Sequence, residues 1–166
     1  MENYFHNYEF IIDDMATNEA ISAYQNVEVC YKKIEKEKIL YSINGGGGYT
    51  LYLEDRFFNF EIDIETKRIS SFDAELTFCD IESANLLLPV NFKNVVLKLK
   101  TEDNLLQGCG GYVEFDTKPI YYDKKQKILQ IGKIETAKLF YKFLNNVYTQ
   151  ITNNKITGLL ITEIEL

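Results

Sequence analysis

Phe58-Asn59-Phe60-Glu61-Ile62-Asp63-Ile64, then Glu65-Thr66-Lys67, then Arg68-Ile69-Ser70-Ser71-Phe72-Asp73-Ala74-Glu75-Leu76-Thr77-Phe78 reads as two strands joined by a short loop. Apolar and polar residues alternate with period two on both sides of the loop, the pattern of strands with one buried face. With a three-residue loop at 65–67, Ile64 faces Arg68 and Phe60 faces Phe72, so even-numbered positions share the core and odd-numbered ones face water. A slip of one residue would turn Phe72, Leu76 and Phe78 outward, so the register is strongly specified.

The same alternation extends in both directions. Val27, Val29 and Tyr31 alternate with Glu28, Cys30 and Lys32; Ile39, Tyr41 and Ile43 alternate with Leu40, Ser42 and Asn44. Beyond the glycine run Gly45–Gly48, Tyr49, Leu51 and Leu53 continue it. Further on, 95–100 and 111–115 read as strands, and 120–122 and 127–131 flank the polar turn 123–126. The segments 147–152 and 155–165 flank Asn153-Asn154. Helical spacing is sparse. Ala137, Phe140, Tyr141 and Leu144 fall at i, i+3, i+4 and i+7, which predicts a helix over 134–145. A shorter helix is expected over 15–24 with Asp14 as N-cap, and a single turn over 81–87. No linker or low-complexity run divides residues 1–166. The expectation is one domain of α+β class: a predominantly antiparallel β-sheet built from hairpins, with one or two helices packed on it.

The chain has 166 residues, is 46% hydrophobic, and contains 12 Tyr and 11 Phe, ample for a core without disulfide or metal support. Its net charge of -7 argues against generic nucleic-acid binding, which needs a Lys/Arg surplus. No basic leader followed by an apolar run opens the sequence, and no apolar run is long enough to span a bilayer, so neither a secretory signal nor a membrane partner is expected. Three unclustered cysteines, Cys30, Cys79 and Cys109, suit reduced thiols in a cytoplasmic protein.

Catalytic and metal-binding patterns are weak. His6 is the only histidine and lies near the chain start. Cys109, among glycines, lacks an adjacent base or cationic group to activate it. Cysteine spacing does not match a zinc site, and the acidic pairs do not form a calcium loop. The glycine run lies between strand-like segments rather than before a helix, so a hairpin loop or bulge is expected there instead of a phosphate cradle. No cofactor, no metal and no enzymatic activity are expected.

Charge is distributed unevenly. Residues 1–92 carry a net -10 and residues 93–166 a net +3. The 58–78 hairpin displays Glu61, Asp63, Asp73 and Glu75 on its outer face, with Glu54 and Asp55 beside it. Such a surface serves solubility and edge protection, or attracts a basic partner and steers its approach. On the second reading, the binding residues are Glu54, Asp55, Glu61, Asp63, Asp73 and Glu75, with Tyr49, Tyr52 and Phe57 as aromatic anchors. Reversing Asp63 and Asp73 to Lys would then weaken binding and leave the fold intact.

The acidic, Tyr/Phe/Ile-rich composition and the hairpin Phe60-Glu61-Ile62-Asp63-Ile64-Glu65-Thr66-Lys67-Arg68-Ile69-Ser70-Ser71-Phe72-Asp73 resemble immunity proteins of bacterial polymorphic-toxin and contact-dependent growth inhibition systems. The resemblance implies a cytoplasmic inhibitor that binds and neutralises a cognate basic toxin protein, often a nuclease. An alternative is a small-ligand-binding module or cryptic enzyme using a concave sheet lined by Tyr31, Tyr41, Tyr49 and Tyr52. A third reading is a structural subunit joined through an exposed edge strand.

Overall fold

The computed structural model describes residues 8–53 and 57–166. In chain order the elements are β1 (Glu9–Ile12), α1 (Asn18–Tyr24), β2 (Glu28–Ile34), β3 (Glu37–Ile43), β4 (Tyr49–Leu53), β5 (Phe58–Ile62), β6 (Ile69–Glu75) and β7 (Ile81–Ser83). There follow β8 (Phe92–Asn94), β9 (Leu97–Lys100), β10 (Gly110–Val113), β11 (Ile120–Asp123), β12 (Ile128–Gly132), β13 (Phe140–Leu144), β14 (Val147–Thr152) and β15 (Lys155–Ile161). They form a six-stranded sheet ordered β10-β4-β5-β6-β3-β2, a seven-stranded sheet ordered β7-β11-β12-β15-β14-β13-β8, and the two-stranded β1-β9 ribbon.

The α+β expectation is therefore corrected: among the described residues the protein is nearly all β, with one helix of seven residues. That helix is capped by Thr17 rather than Asp14, the Thr17 hydroxyl accepting the Ala20 N–H at 3.1 Å. The predicted helix over 134–145 is instead a loop followed by β13. Phe140, Tyr141 and Phe143 are aromatic residues that suit strands, and Asn145-Asn146 turns the chain so that Leu144 pairs with Val147. A helix would leave the β14 edge unpaired, and the ladder wins over the i+3/i+4 spacing. The expected turn at 81–87 is likewise a strand, β7, pairing parallel with β11.

Hairpin readings fare better. Phe60 pairs with Phe72, as the alternation requires, and a bulge after Glu61 shifts the closing pair to Ile62–Ile69. Phe78 departs from the pattern, lying 78% exposed beyond the strand end. In β14–β15, Asn153 and Asn154 both have positive φ, 52° and 61°, the conformation that two-residue primed turns demand.

The inner faces of the two large sheets bury against each other in one continuous apolar core, which also takes in Phe10, Leu97 and Leu99 of the ribbon. At its centre the Phe60 ring lies 6.0 Å from Phe10, 5.5 Å from Phe72 and 6.0 Å from Phe143, so one side chain touches all three sheets. A second link is polar. Asn146, in the β13–β14 turn, accepts the Val29 N–H at 2.9 Å and donates to the carbonyls of Val29 and Thr162, each at 2.8 Å.

The outer face of the seven-stranded sheet is roofed. The connection 84–91 joins β7 at one edge to β8 at the other, crossing about 29 Å at ~4.8 Å per strand. Nine residue steps of ~3.3 Å reach about 30 Å, so this strap has to run nearly straight. Leu86 pins it to Ile128, Phe140 and Leu160 on that face. A second crossing, 133–138, lies against Gly158, where an added Cβ would run into the Lys133 carbonyl oxygen and lie 2.9 Å from Ile134. Gly158→Ala is expected to lower stability by about 1–3 kcal/mol through overpacking, measured as the shift in urea midpoint. A change below a few tenths would mean that the crossing is not tightly seated.

The glycine run corrects another expectation. β3 and β4 are not neighbours, because β5 and β6 lie between them. Gly45–Gly48 therefore crosses the turn end of the β5–β6 hairpin instead of closing one. A Cβ at Gly45 would sit 2.7 Å from the Ser71 Cβ, and one at Gly48 would sit 2.9 Å from the Ile62 carbonyl oxygen. Glycine is needed there for close approach.

Candidate functional site

The outer face of the six-stranded sheet carries most of the sequence-predicted site. Strand pairing lays Tyr112, Tyr52, Asn59 and Asp73 side by side across β10, β4, β5 and β6, and Tyr41 and Cys30, opposite one another on β3 and β2, alternate onto the same face beyond the last β3–β6 pair, Leu40–Ala74. Tyr52 and Tyr112 are stacked at 5.2 Å between ring centroids. Glu61 and Glu75 stand two residues from the row on β5 and β6, so a tyrosine pair and Tyr41 flank an acidic centre.

The carboxylates are more committed than the sequence suggests. Glu61 accepts the Thr50 hydroxyl at 2.7 Å. Asp73 accepts the Ser42 N–H at 2.9 Å where β3 and β6 splay apart, while the Ser42 hydroxyl exchanges hydrogen bonds with Phe72. Burial pushes the Asp73 carboxyl above its ordinary range, with the nearby Glu61 charge adding to it. Asp63 does not join the patch. Its Oδ1 accepts the N–H groups of Glu65 and Thr66 and the Thr66 hydroxyl, closing the hairpin turn. The expectation that Asp63→Lys and Asp73→Lys leave the fold intact is thus corrected, since each removes an acceptor for backbone N–H groups. Glu54 and Asp55 lie outside the described residues, as does His6.

The aromatic anchors divide between faces. Tyr52 is on the outer face, but Tyr49 is buried on the inner face, its hydroxyl 3.2 Å from that of Tyr8. Tyr31 also lies on the inner face, paired with Leu40, whereas Tyr41 is outside. Tyr31, Tyr41, Tyr49 and Tyr52 therefore do not line one concave surface. Tyr112 was missed, although its signal was present: Gly111, Val113 and Phe115 are buried and Tyr112 alternates with them.

Elsewhere, no cluster of His, Cys, Asp or Glu suited to a metal ion occurs among the described residues. Cys109 is exposed. No helix among the described residues is long and apolar enough to cross a membrane. Family models, curated proteins and solved structures gave no match to this chain.

Two carboxylates give the hairpin region an acid sensitivity. Backbone N–H donation from Thr66, aided by its hydroxyl and by Glu65, holds Asp63 below the usual carboxylate range against some desolvation. Asp13 is also lowered: desolvation pushes it up, but the Arg68 guanidinium at 2.8 Å and the Met15 N–H outweigh that. A carboxylate depressed by folding contributes stability above its unfolded pKa, near 3.9, and loses it as pH falls through the folded value. Asp73, raised by folding, works with the opposite sign. The urea midpoint is expected to fall steeply below about pH 4, and Asp63→Asn should flatten that decline while lowering the plateau. An unchanged acid limb in Asp63→Asn would refute the assignment.

Proposed function

We propose that this protein is a binding inhibitor, without catalytic activity of its own, that engages a basic protein through the outer face of its six-stranded sheet. The observation that carries the reading is the contrast between the two sheets. The outer face of the seven-stranded sheet is crossed by the strap and by 133–138. The outer face of the six-stranded sheet is crossed by Gly45–Gly48 at its hairpin end, and it presents the partly exposed Glu61, Asp73 and Glu75 beside stacked Tyr52 and Tyr112. Acidic side chains would steer a basic partner, and rigid, half-exposed tyrosines would supply anchoring area at low entropy cost.

The partner class follows from charge complementarity and from the resemblance to immunity proteins: a cognate basic toxin domain, held stoichiometrically and kept from its substrate in the cytoplasm. The test is affinity capture from the source cells with wild type and with a Tyr52→Ala/Glu75→Lys variant, washed at low and then high salt. Among the described residues, neither substitution removes a partner of a backbone group. The expected result is one basic protein retained by wild type, released by salt, and lost from the variant. Equal retention by both proteins would refute the surface assignment.

A further inference from the structure

The six-stranded sheet ends in β10 on one side and β2 on the other, and the ladder parity of β2 shows which of its backbone groups are unused. Val29 faces away from β3, because both its N–H and its carbonyl are taken by the Asn146 side chain. Its opposite number Ser42 likewise faces away, giving its N–H to Asp73. The next such pairs are Tyr31–Leu40 and Lys33–Lys38, and Lys38 also turns toward β6, donating its N–H to Thr77 and accepting from Leu76 N–H. In an antiparallel pair this alternation is obligatory. The N–H and C=O groups of Tyr31 and Lys33 therefore point outward, and no described residue pairs with them. Asn146 acts as a one-residue substitute strand that satisfies Val29 and stops there.

Beside this edge runs a groove of about 610 Å³, with Glu28 and Tyr31 on β2 facing Gln126, Lys127, Glu163 and Glu165. Lys127 is neutralised by Glu165 at 2.6 Å, and no salt bridge engages Glu28 or Glu163 among the described residues. The groove lining is thus net negative beside a row of unused backbone hydrogen-bonding groups.

We propose that the β2 edge takes up an extended, basic segment of a partner protein as an added strand, pairing with Tyr31 and Lys33 and placing Lys or Arg side chains against Glu28 and Glu163. This is strand addition, in which main-chain bonds give affinity and flanking side chains give selectivity. It rests on the proposed function for the partner's charge, whereas the open edge is independent of it.

Amide hydrogen exchange by NMR on the full chain tests the proposal, using a capped octapeptide of alternating Lys and Val as probe and its Glu/Val counterpart as control. Alone, the protein should exchange the Tyr31 and Lys33 amides at least about tenfold faster than those of Cys30 and Lys32, which are bonded to β3. The Lys/Val peptide should slow both by a similar factor, and the Glu/Val peptide should not. Lys33→Pro removes an outward N–H without removing a β3 bond and should abolish the effect. Glu163→Lys, away from the ladder, should weaken peptide binding several-fold if the proline variant fails to fold. Equal protection by the two peptides would overturn the proposal. Protection that grows with protein concentration alone would overturn it in favour of a second copy. Shifts at Tyr52 and Tyr112 with both β2 amides unprotected would overturn it while leaving the proposed function standing. Protection at β2 without shifts at Tyr52 and Tyr112 would support the edge and count against the outer face.

Discussion

Asn146→Ala is expected to destabilise the protein by about 3–5 kcal/mol, a large share of the roughly 5–15 kcal/mol that holds a typical domain folded. Asn146 is 1% exposed, and it is the only described partner of the outward Val29 N–H, the Val29 carbonyl and, by its second donor, the Thr162 carbonyl. The Thr162 N–H itself bonds the Asn146 carbonyl at 3.0 Å, so backbone and side chain hold one another. Truncation leaves three buried polar groups without partners, each costing roughly 1–3 kcal/mol, less whatever water enters. Asn146→Asp separates the terms. It keeps the acceptor for Val29 but turns an anionic oxygen toward two carbonyls, so it should be at least as damaging at neutral pH and partly recover on acidification. Urea unfolding of both variants gives the answer, and a loss below about 1 kcal/mol for Asn146→Ala would mean that this link does not hold the sheets together.

Phe60→Ala should cost about 3–5 kcal/mol, by lost burial and by the cavity left behind. Phe60 is fully buried, and its ring contacts reach β1, β6 and β13, each in a different sheet. Collapse around the cavity would require three sheets to move together, which places the expected cost toward the upper end. Phe60→Leu should recover more than half of it, since most of the volume returns. Equal losses in the two variants would point to ring-specific packing rather than volume.

What the sequence disclosed follows physical range. The Phe60–Phe72 register and the Asn153-Asn154 turn were legible because period-two burial and positive-φ turn chemistry are local. The 134–145 helix was misread because Phe140, Tyr141 and Leu144, three of the four apolar residues at helical spacing, also fit a bulged strand, and pairing with β14 and β8 decided between them. The strap could not be read, since it depends on β7 and β8 reaching opposite edges of one sheet. In the candidate site, alternation correctly placed Glu61, Asp73 and Glu75 outside. It could not show that Asp63 and Asp73 serve backbone N–H groups, because those bonds depend on a turn geometry and on the splay of β3 from β6. Tyr49 is a different case: the local alternation already groups it with Leu51 and Leu53, all three face the core, and the anchor assignment ran against that pattern.

The central claim is that the outer face of the six-stranded sheet is the binding surface, and hydroxyl-radical footprinting of the captured complex tests it most directly. Tyr41, Tyr52 and Tyr112 should lose most of their modification on binding, while Leu87, Val90 and Phe92 on the opposite side keep theirs. Protection of the strap residues with the three tyrosines still modified would contradict the account and place the partner on the other sheet.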